Sequence, residues 1–390
     1  MQDNGTPRTT TGGLTNWSSI NGGDGFYAAI DYTNSAYQYA ESQNGAIVRT
    51  SNNWSSTQGG TSGIGSGDRK NWSTPILIDP NNPQVLYTGT QYLYRTTNRA
   101  ANWTAISPDL TNGLVPGFTG YATITTIDVA KADSNTVIVG TDDANVWVTT
   151  NLGANWTNVN AGLPNRWITR VRFDPTDRNV AYVTCSGFRF DVSLPHVFRT
   201  TNLGATWQNI SGNLPEAPVT VILVDPQYTN RLYVGTDVGC YFTSNTGVTW
   251  QPMGTGLPNV AVSDMQLHQP SRIARALTHG RSAWQISLDS LVITDIAEET
   301  SQPATFELAQ NYPNPFNPET KIGFRIQESG FTTLMVFDVL GREVATLVND
   351  VKQPGRYTVQ WDASGFASGV YIYRLQTADF SATRKLLLLR

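Results

Sequence analysis

The feature that most constrains the fold of this chain is a short phrase that ends in tryptophan and recurs along its first two thirds. Four intact copies end at Trp103, Trp156, Trp207 and Trp250, spaced 53, 51 and 43 residues apart, and a shorter copy ends at Trp54. Self-similarity at a period of this size is the sequence signature of a repeat architecture, in which each repeat is one supersecondary unit. We therefore expect consecutive copies of one small β unit.

Each repeat has the same internal order of strands and turns. A β-branched run ends in Asp-Pro, as in Ile222-Leu223-Val224-Asp225-Pro226, and a second run ends in Gly-Thr. A third run leads into the turn phrase, and the tryptophan then opens a fourth. Short β-type runs separated by Gly, Asn, Asp and Pro predict antiparallel strands joined by tight turns. Four such strands per repeat predict the blade of a β-propeller.

The turn phrase reads Thr-x-Asn-x-Gly-x-x-Trp in its best copies, such as the one from Thr149 to Trp156. It resembles the Asp-box of sialidase-like, sortilin-like and xyloglucanase-like propellers, with Asn where these families have Asp. Asn and Asp side chains both hydrogen-bond the nearby backbone, glycine adopts a positive φ, and tryptophan buries a large ring. We therefore interpret the box residues as structural. They are Asn98, Trp103, Asn151, Gly153, Trp156, Asn202, Gly204, Trp207, Asn245, Gly247 and Trp250.

The number of blades follows from the residues that end the first strands. These residues are Asp31, Asp79, Asp128, Asp174, Asp225 and Gln269, which predict six blades. The last repeat, from Val262 to Ile286, has no boxed fourth strand, whereas residues 14–20 read as a fourth strand with no blade before them. Joining the two would close the ring and leave no open sheet edge. A segment of a larger propeller is the alternative, because the chain starts at a degraded box.

The C-terminal part has a different pattern. Residues 288–305 are polar and acidic and are predicted to form a linker. A proline-rich phrase at residues 311–318 then precedes five short alternating runs, and this number of strands in so few residues predicts a small immunoglobulin-like β-sandwich. The predicted organisation is all-β, with a six-bladed propeller over residues 1–287, a linker over 288–305 and a β-sandwich over 306–390.

The predicted sandwich closely resembles the type A sorting domain of the type IX secretion system of Bacteroidetes. The resemblance covers residues 306–390 and rests on the proline-rich opening and on separated motifs in the correct order, whose candidate signal residues are Gly341, Arg342, Gly355, Gly369, Tyr371 and Lys385. It implies passage through the periplasm, recognition by the type IX secretion machinery and removal by its sortase-like peptidase. The product would be secreted or attached to the outer-membrane surface. An accessory sandwich domain without a sorting role is the alternative.

Ligand-binding residues are predicted on the propeller face opposite the boxes. Counting seven residues back from the end of each first strand gives Asp24, Trp72, Tyr121, Trp167 and Pro218, so three aromatic rings are expected side by side. Sugar rings stack on such aromatic surfaces, although the rings could instead pack between blades. The predicted ligand-binding residues are Trp72, Tyr121, Trp167, Arg166 and Arg189.

Carboxylates on the same face raise the possibility of catalysis. Glycoside hydrolysis needs two carboxylates about 5 to 10 Å apart, and Asp24, Asp142 and Asp143 are candidates. The resemblance to sialidases and xyloglucanases does not extend beyond the box, so it transfers no catalytic residue. The three histidines are too scattered for a zinc motif, and no metal or other cofactor is predicted. The absence of a basic patch argues against nucleic acid, and no apolar run is long enough to predict a membrane span.

The sequence thus predicts an exported propeller that binds an extracellular glycan or protein through its loop face. A glycoside hydrolase that uses the rim carboxylates is one alternative, and a structural propeller within a larger surface protein is another. Carboxylate geometry separates binding from hydrolysis. An enzyme needs two acids that face one cleft, one of them with a raised pKa, whereas a binding module needs only the aromatic surface.

Overall fold

The computed structural model describes residues 3–13, 15–114, 120–186, 196–254, 256–291, 306–353, 355–378 and 380–389. The chain divides into two compact units, residues 1–293 and 294–390, and both are built from β-strands. Arg189, one of the predicted ligand-binding residues, lies outside the described residues.

The described part of the first unit contains a two-stranded ribbon followed by six antiparallel sheets, one per sequence repeat. The ribbon pairs β1 (Thr6–Arg8) with β2 (Ser18–Asn21). Blade 1 contains β3 (Ala28–Ile30), β4 (Gln38–Ser42), β5 (Ala46–Thr50) and β6 (Gln58–Gly59). Blade 2 contains β7 (Ile76–Ile78), β8 (Leu86–Gly89), β9 (Leu93–Thr96) and β10 (Thr104–Ala105). Blade 3 contains β11 (Ile124–Val129), β12 (Val137–Thr141), β13 (Val146–Thr149) and β14 (Thr157–Asn158).

The remaining blades continue the order. Blade 4 contains β15 (Ile168–Phe173), β16 (Ala181–Cys185), β17 (Val197–Thr200) and β18 (Gln208–Asn209). Blade 5 contains β19 (Val219–Val224), β20 (Leu232–Thr236), β21 (Gly239–Thr243) and β22 (Gln251–Pro252). Blade 6 contains β23 (Val262–His268), β24 (Ile273–Thr278) and β25 (Ala283–Ser287). Three short 3₁₀ helices are described, at Gln43–Gly45, Gln269–Ser271 and Leu288–Ser290.

The order of strands within the blades agrees with the order predicted from the sequence. In blades 1 to 5 each strand pairs with the next one along the chain. Blade 6 has three strands among the described residues. The N-terminal strand differs from the expectation, because Ser18–Asn21 pairs with Thr6–Arg8 in the structure and not with the last blade.

Each intact box fixes the turn before the fourth strand through its own side chains. In blade 3 the Thr149 hydroxyl accepts the N–H groups of Asn151 and Gly153, and the Asn151 side-chain oxygen accepts the N–H of Asn155. Gly153 has a φ of 92°, which suits glycine, whereas Ala100 holds the equivalent place in blade 2 with a φ of 60°. The box therefore closes a tight turn by local hydrogen bonds, with Asn in the role of Asp.

The box tryptophans also join each blade to the one before it. Each indole Nε1 donates to the carbonyl that follows the fourth strand of the preceding blade: Trp103 to Gly60, Trp156 to Ile106, Trp207 to Val159, and Trp250 to Ile210. The shorter copy of the box differs, because the Trp54 indole donates to the Gln38 side chain within blade 1. Four of the box indoles thus bridge consecutive sheets.

The core of the first unit lies between the blades. The cluster between blades 4 and 5, for example, buries Val180, Ile210, Ile222, Leu232 and Trp250. Four apolar clusters of this kind contain the box tryptophan of the later blade. A sheet buries both faces only against neighbouring sheets, so the blades depend on one another for their core.

The second unit is a β-sandwich with its own core. One sheet has the order β26 (Glu307–Leu308), β27 (Glu319–Ile326) and β30 (Gly355–Asp362). The other has the order β29 (Glu343–Lys352), β28 (Gly330–Phe337), β31 (Gly369–Gln376) and β32 (Ser381–Leu388). The Trp361 ring contacts the rings of Phe316, Phe366 and Tyr371 between them. The alternating burial of β31 is typical of a strand with one face in such a core.

The bridging role of the box indole can be tested in blade 3. Replacing Trp156 by alanine removes a ring that packs with the core between blades 2 and 3 and removes its hydrogen bond to Ile106. We expect a loss of about 3 kcal/mol of unfolding free energy. Thermal unfolding of the variant checks this, with Trp54→Ala as the matched control, because the Trp54 bond stays within its own blade. Equal losses in both variants would contradict the inter-blade role.

Candidate ligand-binding rim

In blades 3 to 6 the rim position is set by a repeated backbone hydrogen bond. The N–H after the second strand donates to the carbonyl just before the first strand: Asp142 to Thr123, Ser186 to Trp167, Asp237 to Pro218, and His279 to Ala261. In blade 3 the rim residue is therefore Thr123, and Tyr121 lies two residues before it. The expectation that Trp72, Tyr121 and Trp167 share one register is wrong.

The misplacement comes from the residue taken as the end of the first strand in blade 3. The N–H groups of Asp79, Asp174 and Asp225 each donate to the carbonyl of the residue just before the second strand of the same blade. In blade 3 the N–H of Ala130 makes this bond. Asp128 instead faces blade 4, where its carboxylate accepts the Phe173 N–H at 2.7 Å. By the same hydrogen bond, the rim residue of blade 6 is Ala261.

Two of the predicted aromatic residues nevertheless lie on loops that are tied together. The Asn71 side-chain amide donates to the Thr123 hydroxyl at 3.0 Å, and Arg69 Nε donates to the Ala122 carbonyl at 3.1 Å. Trp72 and Tyr121 are adjacent in sequence to these contacts and are 42% and 37% exposed. The described residues show no ring contact between them; the Trp72 ring meets the edge of Phe26, with the centroids 6.4 Å apart.

The loop that carries Trp72 is anchored by a buried carboxyl group, Glu41. Its oxygens accept the N–H groups of Thr74 and Gly45, both at 3.1 Å, and of Tyr27 at 3.4 Å. The neighbouring Asn44 N–H donates to the Trp72 carbonyl. Burial raises the pKa of Glu41 to about 8, and the three N–H donors only partly oppose this effect.

The loop that carries Tyr121 is anchored in the same way by Asp142. Its two oxygens accept the N–H groups of Tyr121 and Thr123. Burial raises the pKa of Asp142 to about 6, with a smaller contribution from the charge of Asp143. Asp143 itself accepts the Asn112 N–H and the Asn145 side-chain amide. These two candidate catalytic acids hold loop backbone in place.

The third candidate acid is placed similarly. Asp24 is only 5% exposed, and its carboxylate accepts the Asp3 N–H at 2.7 Å. Its own N–H donates to the Gln43 side chain. The structure therefore places Asp24 at the junction of the N-terminal ribbon and blade 1, engaged with backbone.

The remaining predicted rim residues are less accessible. The Arg166 side chain is buried and approaches His196 Nδ1 at 3.3 Å, and burial lowers the pKa of both residues. Trp167 is half-buried, and its carbonyl accepts the Ser186 N–H. A buried guanidinium and a half-buried ring offer less surface to a ligand than Trp72 and Tyr121 do.

A polar contact between distant blades was not predicted from the sequence. Arg170 of blade 4 donates to Asp264 of blade 6 at 2.8 Å and also interacts with Tyr27 of blade 1. Burial raises the pKa of Tyr27. The three residues occupy equivalent positions of their repeats, in the first strand or just before it, so an alignment of the repeats is the signal that could have indicated the contact. A cleft of about 200 Å³ lies where the first strands end, away from the rim, next to Asp128, Arg172 and Gln266.

The described part of the chain contains no cluster of three or more His, Cys, Asp or Glu side chains able to hold a metal ion. Cys185 and Cys240 are buried free thiols and form no bridge. None of the described helices is long and apolar enough to cross a membrane.

The candidate sorting residues lie on turns and strands of the sandwich. Gly341, with a φ of 78°, and Arg342 lie in the turn between β28 and β29, where Arg342 pairs with Asp338 at 2.7 Å. The Tyr371 hydroxyl donates to the Ala367 carbonyl. Gly355 and Gly369 begin β30 and β31, and Lys385 lies in β32 opposite Ile372.

Known structures share the fold of the propeller. An ancestral GH74 enzyme is 17% identical over 85% of this chain and 38% of its own, with a TM-score of 0.50. The GH74 enzyme of Niastella koreensis is 18% identical over 77% of this chain and 50% of its own, with a TM-score of 0.51. The GH74 xyloglucanase of Xanthomonas campestris is 13% identical over 91% of this chain and 64% of its own, with a TM-score of 0.52.

This chain thus spans 38% to 64% of the length of these enzymes. At these identities the likeness establishes the fold, a propeller of the Asp-box type, and nothing about activity. No curated protein sequence matches the chain significantly.

The C-terminal unit is identified by sequence as well as by structure. Residues 310–389 match the family described as the secretion system C-terminal sorting domain. The sequence motifs and the sandwich agree with this match, so the chain carries a type IX sorting domain. The protein is therefore exported, and it is secreted or attached to the outer-membrane surface.

The buried anchor of the Trp72 loop should make stability depend on pH. Because the pKa of Glu41 is higher in the folded chain than its ordinary value, the folded state binds this proton more tightly. The resulting stability is present below the ordinary pKa and is lost as the pH rises towards about 8. We expect the melting temperature to fall less over this range in Glu41→Gln than in the wild type. Glu216→Gln, at an exposed residue, is the control; identical pH profiles in all three proteins would contradict the expectation.

The export role of the C-terminal unit is tested by deleting residues 306–390. The apolar clusters of the propeller contain no residue of the sandwich, so the truncated chain should still fold. We expect it to accumulate in the periplasm of a host with a type IX system. Cell fractionation against the full-length chain measures this. Equal amounts of both proteins outside the cell would show that the sandwich is not needed for sorting.

Proposed function

We propose that the propeller is an extracellular binding module whose loop face takes a glycan through Trp72 and Tyr121. The observation that carries this proposal is that both rings are exposed on loops whose backbone is held by buried carboxyl groups. Glu41 and Asp142 each accept N–H groups within two residues of an exposed ring. Aromatic side chains that are fixed in advance lose little conformational entropy when a sugar stacks on them, which favours binding.

The contacts of the acids favour binding over hydrolysis. A hydrolase needs two carboxyl groups that are free to face a sugar from both sides of the bond. Asp24, Asp142 and Asp143 instead accept backbone N–H groups of loops or the ribbon. A raised pKa such as that of Asp142 follows from burial, with a smaller contribution from the charge of Asp143, and does not by itself indicate an acid catalyst.

Plant and microbial polysaccharides are suitable ligands for a first test. Xyloglucan is included because one protein with a similar fold is named a xyloglucanase. The full-length chain would be applied to an array of immobilised extracellular glycans, and binding would be quantified by titration with the best ligand. If the chain instead bound a purified extracellular protein through Trp72 and Tyr121, the ligand would be a protein and not a glycan.

The roles of the two rings are tested by alanine substitution. We expect Trp72→Ala and Tyr121→Ala each to weaken binding by about 1–2 kcal/mol, because each removes one stacking surface. Their melting temperatures should change little, since both rings are partly exposed. Tyr32→Ala is the matched control, because this ring is 56% exposed at the opposite end of the first strand. Strong destabilisation with unchanged affinity would indicate packing instead.

The hydrolase alternative is tested with the same polysaccharides. We expect no release of reducing sugar by the wild-type chain. Release that is abolished by Asp142→Asn, with glycan binding retained, would establish hydrolysis and assign Asp142 a catalytic role.

We further propose, from the identified sorting domain, that the type IX sortase-like peptidase removes the C-terminal unit after export. The acidic segment of residues 288–305 is the expected cleavage region. A surface or secreted product that lacks the sandwich, detected by mass spectrometry, would support this, whereas a full-length exported chain would not.

A further inference from the structure

The first strand of each blade has one edge that no other strand covers. Among the described residues, each first strand pairs with the second strand of its own blade and with no strand on its other side. In blade 4 the Phe173 N–H on this free edge donates to the Asp128 carboxylate of blade 3 at 2.7 Å. Backbone N–H groups inside a protein need such a partner. A carboxylate of one blade therefore serves the free edge of the next.

The two following blades present the same N–H group on their free edges. The first strands of blades 4, 5 and 6 each carry a register shift, and Phe173, Val224 and Leu267 lie at the same distance beyond it. Alternate N–H groups of an antiparallel strand point to opposite edges, so equal registers give equal directions. The N–H groups of Val224 and Leu267 therefore face the free edge, as that of Phe173 does.

The carboxylate that serves this group in blade 4 is not repeated. Arg172 holds the place of Asp128 one blade later, and Leu223 holds it two blades later. A guanidinium carries only donors, and an aliphatic side chain has no hydrogen-bonding group. Two consecutive free edges therefore present an N–H donor where the repeat supplies no acceptor.

These donors line the cleft of about 200 Å³ at the ends of the first strands. Val224, Leu267 and Arg172 all belong to its lining. Prolines that follow the first strands of blades 2, 4 and 5 contribute to the wall, and they are Pro80, Pro175 and Pro226. The cleft thus places a few hydrogen-bond donors beside apolar rings, a composition typical of small-molecule sites.

The acids of the cleft are already engaged by the protein. Asp128 Oδ1 accepts Arg172 Nη1 at 3.2 Å, and its Oδ2 accepts the backbone N–H of blade 4. Asp174 accepts N–H groups of the turn that follows it. The Arg172 Nε is buried and has no partner among the described residues, and Lys131 is exposed at the cleft. The charged groups left for a ligand are therefore the two cations.

We propose that the cleft binds a small organic carboxylate with an apolar body. Its oxygens accept hydrogen bonds from Arg172 and from the Val224 and Leu267 N–H groups, in the role that Asp128 has for blade 4. Hydrogen bonds between a guanidinium and a carboxylate are charge-assisted, so an anion is favoured over a neutral ligand. The apolar body contacts the three prolines. This site is separate from the proposed glycan site, because the cleft lies away from the rim.

Three probes separate the parts of this proposal. Butyrate has a carboxylate and an apolar body, butyramide has a similar shape without the charge, and glucuronate has a carboxylate on a sugar. Binding of each probe to the full-length chain is measured by saturation-transfer NMR and by titration. We expect butyrate to bind about tenfold more tightly than butyramide, because its hydrogen bonds are charge-assisted. Equal binding of the amide, tighter binding of glucuronate, or no binding of butyrate would overturn the proposal.

Arg172→Gln tests whether the binding occurs in the cleft. Glutamine keeps a donor for Asp128 but lacks the charge, so we expect the affinity for butyrate to fall about tenfold. Arg178→Gln is the matched control, because Arg178 is a partly exposed cation of blade 4 that pairs with Asp133 outside the cleft. Unchanged affinity in Arg172→Gln, or an equal fall in both variants, would overturn the proposal. Melting temperatures show whether both variants fold, and the comparison of butyrate with butyramide needs no variant.

Discussion

The interaction on which the rest of the propeller depends is the hydrogen-bonded burial of one indole between two sheets. Each box tryptophan belongs to one blade by sequence and packs against the preceding blade, where it donates to the carbonyl after the fourth strand. A single residue per repeat thereby fixes the distance and orientation of consecutive blades. Because the four interfaces from blade 1 to blade 5 reuse the same geometry, stability accumulates between nearest neighbours, and any change to one box acts first on a single interface.

The loop face depends on a second repeated device, the buried carboxyl group that accepts backbone N–H donors. Glu41 lies near the end of its second strand and Asp142 directly follows its own, and both carboxyl groups reach the loops that lead into first strands. Their acidity is unusual because they are buried, and they are buried because they hold backbone that would otherwise lack partners. The same features make an acid look catalytic in a sequence, so the contacts of the oxygens, and not the pKa, distinguish an anchor from a catalyst.

The sequence predicted the parts of the fold that are determined locally. Turn chemistry and strand alternation indicated the blades, the boxes and the sandwich, because each depends on residues close together in the chain. The predicted register of blade 3 was wrong because Asp128 resembles in sequence the Asp that ends the first strand of neighbouring blades. In the structure, Ala130 makes the equivalent backbone hydrogen bond. Only a partner from another blade, Phe173, reveals what Asp128 does. The contact of Arg170 with Asp264 was likewise not predicted, because it joins residues two blades apart.

The two units solve the problem of burial differently, and this difference suits their roles. A blade cannot bury its faces alone, so a propeller gains its core from the series of interfaces. The sandwich closes two sheets over a core made only of residues from its own part of the chain, with Trp361 and Phe316 between them. Because this core contains no residue of the propeller, the sandwich can fold whatever precedes it, and the sequence of the propeller can change without affecting the fold of the sorting domain.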